Sequence, residues 1–205
     1  MIDGIIFDVD GTIWNSTPTV EEAWNAALEK AGYKERVTAE RLQGLFGLPM
    51  DDIIADILPE ADAEERAGFA PLCFEYEHEY IARYGAAVYD GVEDMLKELS
   101  KKYPLFIVSN CQAGYIELML KKTGFAEYIT DHLCPGDTNL LKADNIKLIS
   151  ERNNLKSPLY VGDTQMDANA CKEAGVPIAF AAYGFGKVKE PAYVINSPME
   201  LVDIL

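Results

Sequence analysis

The chain has 205 residues, 49% apolar and 25% charged, with 15 glycines and 10 prolines. That composition fits one folded domain, or one carrying a modest insertion, and excludes collagen-like, low-complexity and wholly disordered chains. Eighteen basic residues against 34 acidic ones give a formal charge of −16, which argues against nucleic acid or an anionic membrane as partner but leaves room for a small anion beside a divalent cation.

In chain order, Gly4–Val9 is a short apolar run that predicts a parallel strand covered on both faces. Residues 1–9 carry Asp3 and Asp8 and no basic flank, so they are not expected to be a targeting segment. No stretch approaches the roughly 18 apolar residues that span a bilayer. From about Pro18 to Tyr84 there is no convincing strand. Helices are predicted over Val20–Ala31, Ala39–Phe46, Met50–Leu58 and Glu64–Arg83, broken at Gly32, at the Gly47–Leu48–Pro49 turn and at Pro59. Residues 16–85 are therefore expected to be an all-helical insertion, and residues 1–15 with 86–205 the domain that it interrupts. Fifteen acidic and six basic residues lie between Asn15 and Gly85, the pattern of a solvated helical surface. Beyond it, runs at Leu105–Ser109, Leu159–Gly162 and Pro177–Ala182, with a weaker one at Tyr193–Asn196, predict strands. They alternate with helical patterns at Val92–Lys102, Ala113–Lys122, Ala143–Arg152 and Met166–Ala174. The fold class is α/β, with a doubly wound, Rossmann-like parallel sheet. Cys73, Cys111, Cys134 and Cys171 are scattered with no C-x-x-C pair, so reduced thiols and a cytoplasmic location are expected.

Four places at strand ends carry chemistry. Asp8 and Asp10 stand one residue apart where the first strand gives way to Gly11. They read either as an Asp-Gly turn or as an anionic pair that needs a cation or a proton between its members. Ser109 and Asn110 end the second strand, as a helix cap or as an anion cradle. Asp163 follows Gly162, and Asp167 stands four residues on at a helix start, either as a cap or as further metal-facing carboxylates. Lys142 opens the helix before that strand. All lie at the carboxyl ends of strands or just beyond, the edge where open α/β sheets bind ligands.

Asp8-Val9-Asp10-Gly11-Thr12, Ser109-Asn110, Lys142 and Gly162-Asp163-Thr164-Gln165-Met166-Asp167 resemble, in order, the four motifs of the haloacid dehalogenase superfamily. The helical insertion resembles the cap domain of its phosphoglycolate phosphatase and β-phosphoglucomutase branch. Relatives usually have Pro after the motif lysine; Ala143 stands here, which keeps Lys147 as a substitute for Lys142. Tyr183-Gly184-Phe185-Gly186 is similar to a glycine-bearing turn near the active-site edge of these phosphatases.

The resemblance implies a Mg2+-dependent phosphatase acting on a small phosphomonoester through an aspartyl-phosphate. Asp8 would be the nucleophile and Asp10 the general acid and base. Mg2+ would be held by Asp8, the Asp10 main-chain carbonyl and Asp163. Ser109, Asn110, Lys142 and Thr12 would bind the phosphate, and Asp167 would orient Lys142 or metal-bound water. Family ATPases and dehalogenases generally lack the second Asp, so Asp10 favours ester cleavage. The cap lysines, Lys30 and Lys34, do not stand out as Schiff-base formers. The Gly47 turn is either the substrate-facing loop or an ordinary helix–helix turn; Asn15 is expected to line the way into the site, and Trp14 either lines it too or packs the cap hinge. His78 and His132 are expected to be structural or on the surface. The partner is a small phosphorylated metabolite, with no nucleic acid and no membrane, and the chain is expected to be a monomer. A sugar phosphomutase of the β-phosphoglucomutase type is the alternative. A non-enzymatic phospho-acceptor or binding protein is a more distant one.

Overall fold

In the computed structural model, which describes residues 2–205, the run Gly4–Phe7 is strand β1 and is buried along its whole length. Trp14–Asn15 (β2) and Ala87–Val88 (β3) form a separate two-stranded pairing. Leu105–Val108 (β4), Ile129–Leu133 (β5), Pro158–Gly162 (β6), Ile178–Ala181 (β7) and Tyr193–Ile195 (β8) complete the main sheet. Its order is β5-β4-β1-β6-β7-β8, and its neighbouring strands run parallel. Because β1, β4 and β6 are adjacent and in register, with Phe7 opposite both Ile107 and Val161, their carboxyl ends stop side by side. The residues that follow them, Asp8, Ser109 and Asp163, therefore meet at one edge.

Strand β5 has no counterpart in the sequence reading. It lies at the sheet edge and is only partly buried, with Asp131 and His132 in its run. An edge strand needs no continuous apolar sequence.

The described residues divide into two compact units, 2–15 with 88–205, and 16–87. The second contains helices Thr17–Ala31 (α1), Ala39–Leu45 (α2), Met50–Ile57 (α3) and Ala63–Tyr84 (α4). Within it, the buried Trp24 of α1 donates its indole N–H to Glu77 of α4 at 2.9 Å, which satisfies a carboxylate that burial would otherwise penalise. Asp62 and Glu65 form a reciprocal capping box at the start of α4.

In the first unit, Val92–Ser100 (α5), Tyr115–Thr123 (α6), Pro135–Thr138 (α7), Lys142–Arg152 (α8), Gln165–Ala174 (α9) and Glu200–Ile204 (α10) accompany the sheet. The very short α7 and α10 offer too few turns for a periodic pattern. Helix α6 starts two residues later than predicted because Gly114 takes a left-handed conformation (φ 84°) just before it. Ile6, Phe106, Val108, Tyr160, Ile146 and Ile149 form much of the core. The hydroxyl of Tyr160 is satisfied there by the Val108 carbonyl at 2.7 Å. Among the described residues no helix is long and apolar enough to cross a membrane.

Candidate active site

Asp8 leaves β1 with its backbone N–H donating to the Val161 carbonyl at 2.9 Å. Lys142, the first residue of α8, is only 5% exposed. Its Nζ lies 3.2 Å from Asp8 Oδ1 and 2.6 Å from Asp167 Oδ1. Lys147 pairs on the surface with Asp144 and Glu173, so Lys142 is the lysine at this edge and no substitution by Lys147 is needed.

Asp167 lies in the first turn of α9. Its Oδ2 accepts from the Thr164 N–H at 2.9 Å and from the Thr164 hydroxyl at 2.7 Å, while Thr164 Oγ1 accepts from the Asp167 N–H. One side chain thus completes the capping box of α9 and pairs with Lys142.

Asp163 follows β6 and is fully buried. Its Oδ2 accepts from the Phe185 N–H at 2.7 Å. That contact depends on the Tyr183–Gly186 turn lying close against it, which glycine permits. A Cβ at Gly184 would sit 2.4 Å from Asp163 Cβ, and one at Gly11 would sit 2.1 Å from Asp163 Oδ2. Gly11 also has φ +83°, a conformation that side chains other than glycine's adopt only at a cost.

Asp8, Asp163 and Asp167 each bring a carboxylate oxygen within 4.8 Å of the others, and all three are buried. Asp8 Oδ1 and Asp163 Oδ1 are buried yet accept no hydrogen bond; Lys142 approaches the former without the alignment of one. Burial, and next the charges of Asp167 and Asp8, push Asp163 up to about 8. Burial likewise raises Asp8 to about 6, partly offset by Lys142 and by hydrogen bonds from the Val9 backbone and Ser109. Asp167 goes the other way: burial would raise it, but Lys142 and Thr164 together hold it below the usual carboxylate range. Burial would also depress Lys142, and its two carboxylate partners overcome that to raise it. Two hard oxygen donors without hydrogen-bond partners, in a cluster with excess negative charge, suit a cation such as Mg2+. Asp167, whose oxygens are taken by Lys142 and Thr164, is the member of the group already satisfied by protein donors.

The other expected residues fall as follows. Ser109 is buried beside Asp8, and Asn110 is half-buried. The Asp10 carboxylate stands outside the three-carboxylate group and accepts from the Tyr115 hydroxyl at 3.0 Å. Thr12 is fully buried, and its carbonyl accepts from the Tyr183 hydroxyl. Asn15 is half-buried in β2. Trp14 does not line an open path: it has no exposed surface and packs edge-on against the Tyr115 ring. Gly47 belongs to the helical unit, in a turn with φ +96°. His78 is exposed and His132 half-buried. The four cysteines are free thiols.

Two residues were not singled out by sequence. Tyr115 lay within the predicted helix Ala113–Lys122 with no role read for its hydroxyl. Gly136 packs so tightly on the loop after Asn110 that a Cβ would lie 2.0 Å from the Ala113 nitrogen. Only the fold brings either to this edge.

A family profile described as "Haloacid dehalogenase-like hydrolase" matches residues 5–181. A phosphoglycolate phosphatase from Photobacterium profundum is 28% identical over 98% of this chain and 94% of its own length. One from Rhodobacter capsulatus is 26% identical over 91% of this chain and 87% of its own. Among solved structures, a haloacid dehalogenase-like family hydrolase from Streptococcus pneumoniae superposes with a TM-score of 0.87 at 23% identity, covering 99% of this chain and 98% of that one. CbbY from Rhodobacter sphaeroides, solved in complex with xylulose-(1,5)bisphosphate, gives 0.80 at 19% identity, covering 98% and 96%. At these identities the two structures speak to the fold.

Proposed function

This chain belongs to the haloacid dehalogenase-like hydrolases, and from that premise we propose that it hydrolyses a small phosphomonoester through an aspartyl-phosphate on Asp8. The observation that carries this reading is the contact of Asp8 with Lys142, 3.2 Å apart and buried at the end of β1 beside the partnerless oxygen of Asp163.

A carboxylate oxygen of Asp8 attacks phosphorus as the bond to the alcohol oxygen breaks. Asp10 gives that oxygen a proton, then takes one from the water that hydrolyses the aspartyl-phosphate. Lys142, held by Asp167, keeps a fixed positive charge beside Asp8 for the phosphoryl oxygens. Ser109, Asn110 and Thr12 supply further donors for them. Asp8, Asp163 and the Asp10 main-chain carbonyl would hold Mg2+. The ion supplies charge neutralisation between the attacking carboxylate and the phosphate, and stabilises the transition state. Residues 16–85 are read as the family's cap, with the Gly47 turn as its substrate-facing loop. The names of the relatives make 2-phosphoglycolate the first ester to try.

The test is phosphate release from a panel of small phosphomonoesters with Mg2+, with EDTA, and from Asp8→Asn. The reading expects hydrolysis that both EDTA and the substitution abolish. Release that survives either, or no release from a folded wild type, would contradict it.

A further inference from the structure

The carboxyl group of Asp10 is held from the side. Tyr115 donates its hydroxyl to Asp10 Oδ1 at 3.0 Å. Tyr115 is buried and opens α6, directly after the left-handed Gly114 that turns the chain out of the Ser109–Asn110 segment. Its ring meets Trp14 edge-on, with centroids 5.9 Å apart and planes at 75°. Trp14 in turn belongs to the loop that carries Asp10, because its carbonyl accepts from the Gly11 N–H and its own N–H donates to the Val9 carbonyl. The hydroxyl is thereby fixed relative to Asp10 by packing on the same loop. The ring contact alone would be served by a phenyl group, so the hydrogen bond is what the tyrosine adds.

We propose that Tyr115 is a positioning residue for Asp10, holding its carboxyl group so that Oδ2 is the oxygen that exchanges the proton with the leaving alcohol. This rests on the phosphomonoesterase reading above. A phenolic O–H aimed at Oδ1 makes that oxygen an acceptor, and the proton of the acid form then sits on Oδ2. In the first half-reaction the Asp8–phosphorus bond forms, the bond from phosphorus to the alcohol oxygen breaks, and the Oδ2 proton passes to that oxygen. The carboxylate left behind keeps the Tyr115 hydrogen bond, which is stronger to a charged acceptor. In the second, water attacks phosphorus, the Asp8–phosphorus bond breaks, and Oδ2 takes the proton from water. An ester with a good leaving group, such as 4-nitrophenyl phosphate, needs no proton for the first half. The contribution of Tyr115 to kcat/KM therefore depends on the alcohol that leaves, whereas a purely structural role would not.

The experiment measures kcat/KM of wild type and Tyr115→Phe on 2-phosphoglycolate and on 4-nitrophenyl phosphate. Loss of a hydrogen bond to a charged group predicts a fall of about 10-fold or more on the alkyl ester and of less than about 2-fold on the nitrophenyl ester. The ratio of the two losses is independent of the fraction of folded enzyme. A second variant with 4-fluorophenylalanine at position 115, which fills the hydroxyl's place without donating, is expected to give the same ratio. Equal losses on both esters, or no loss on the alkyl ester, would overturn the role of Tyr115. If 2-phosphoglycolate is not turned over, the best alkyl ester of the panel takes its place, and a folded wild type that hydrolyses no ester of the panel would overturn the phosphomonoesterase reading and this role with it.

Discussion

Lys142 and Asp167 form a buried ion pair, 2.6 Å from Nζ to Oδ1, at the meeting point of α8 and α9. The same Nζ reaches Asp8 at 3.2 Å, so one cation serves two carboxylates that would otherwise repel each other and Asp163. Lys142→Met is expected to lose activity and to destabilise the fold by about 3–5 kcal/mol, the usual consequence of removing one partner from a buried charge cluster. Denaturant unfolding checks this. A loss below about 1 kcal/mol, the scale of a surface pair, would show that the pair does not hold the cluster together.

The pH dependence of the metal-free protein follows from Asp163. Its ordinary value of 3.8 rises to about 8 in the fold. Between these values the folded chain holds a proton that the unfolded chain has lost, so this group's stabilisation is full below pH 3.8 and disappears as pH rises through about 8. In EDTA, Tm should fall more steeply over that window for wild type than for Asp163→Asn. Mg2+ should raise Tm more at the alkaline end, where no proton has to leave. Parallel slopes for the two proteins would contradict the assignment.

Gly11→Ala tests the close packing around Asp163. The new Cβ would lie 2.1 Å from Asp163 Oδ2, on a residue with φ +83°. Backbone strain at such a site costs on the order of 1–3 kcal/mol, and the displaced carboxylate should weaken Mg2+ binding in a calorimetric titration. An unchanged affinity and Tm would mean that the turn yields without moving Asp163.

Much of this was legible in the sequence because central strands have to be apolar on both faces. The runs at β1, β4 and β6 announced themselves, and with them the polar residues Asp8, Ser109 and Asp163 that abruptly end them. Strand β5 was hidden because an edge position tolerates Asp131 and His132. Tyr115 was hidden for a different reason. Its partner Asp10 lies 105 residues away, and an aromatic residue in an amphipathic helix reads as core whether or not its hydroxyl has a task. For Trp14 the sequence left entry lining and packing open, since adjacency to a motif does not say which way a side chain points, and in the fold it is buried.

The most direct measurement of the central claim is peptide mass analysis of wild-type enzyme acid-quenched during turnover of an ester that it hydrolyses. A phosphoryl group on the peptide containing Asp8, absent from Asp8→Asn, is the predicted result. Steady turnover with no phosphoryl group on that peptide, or with one on a different residue, would contradict Asp8 as the nucleophile.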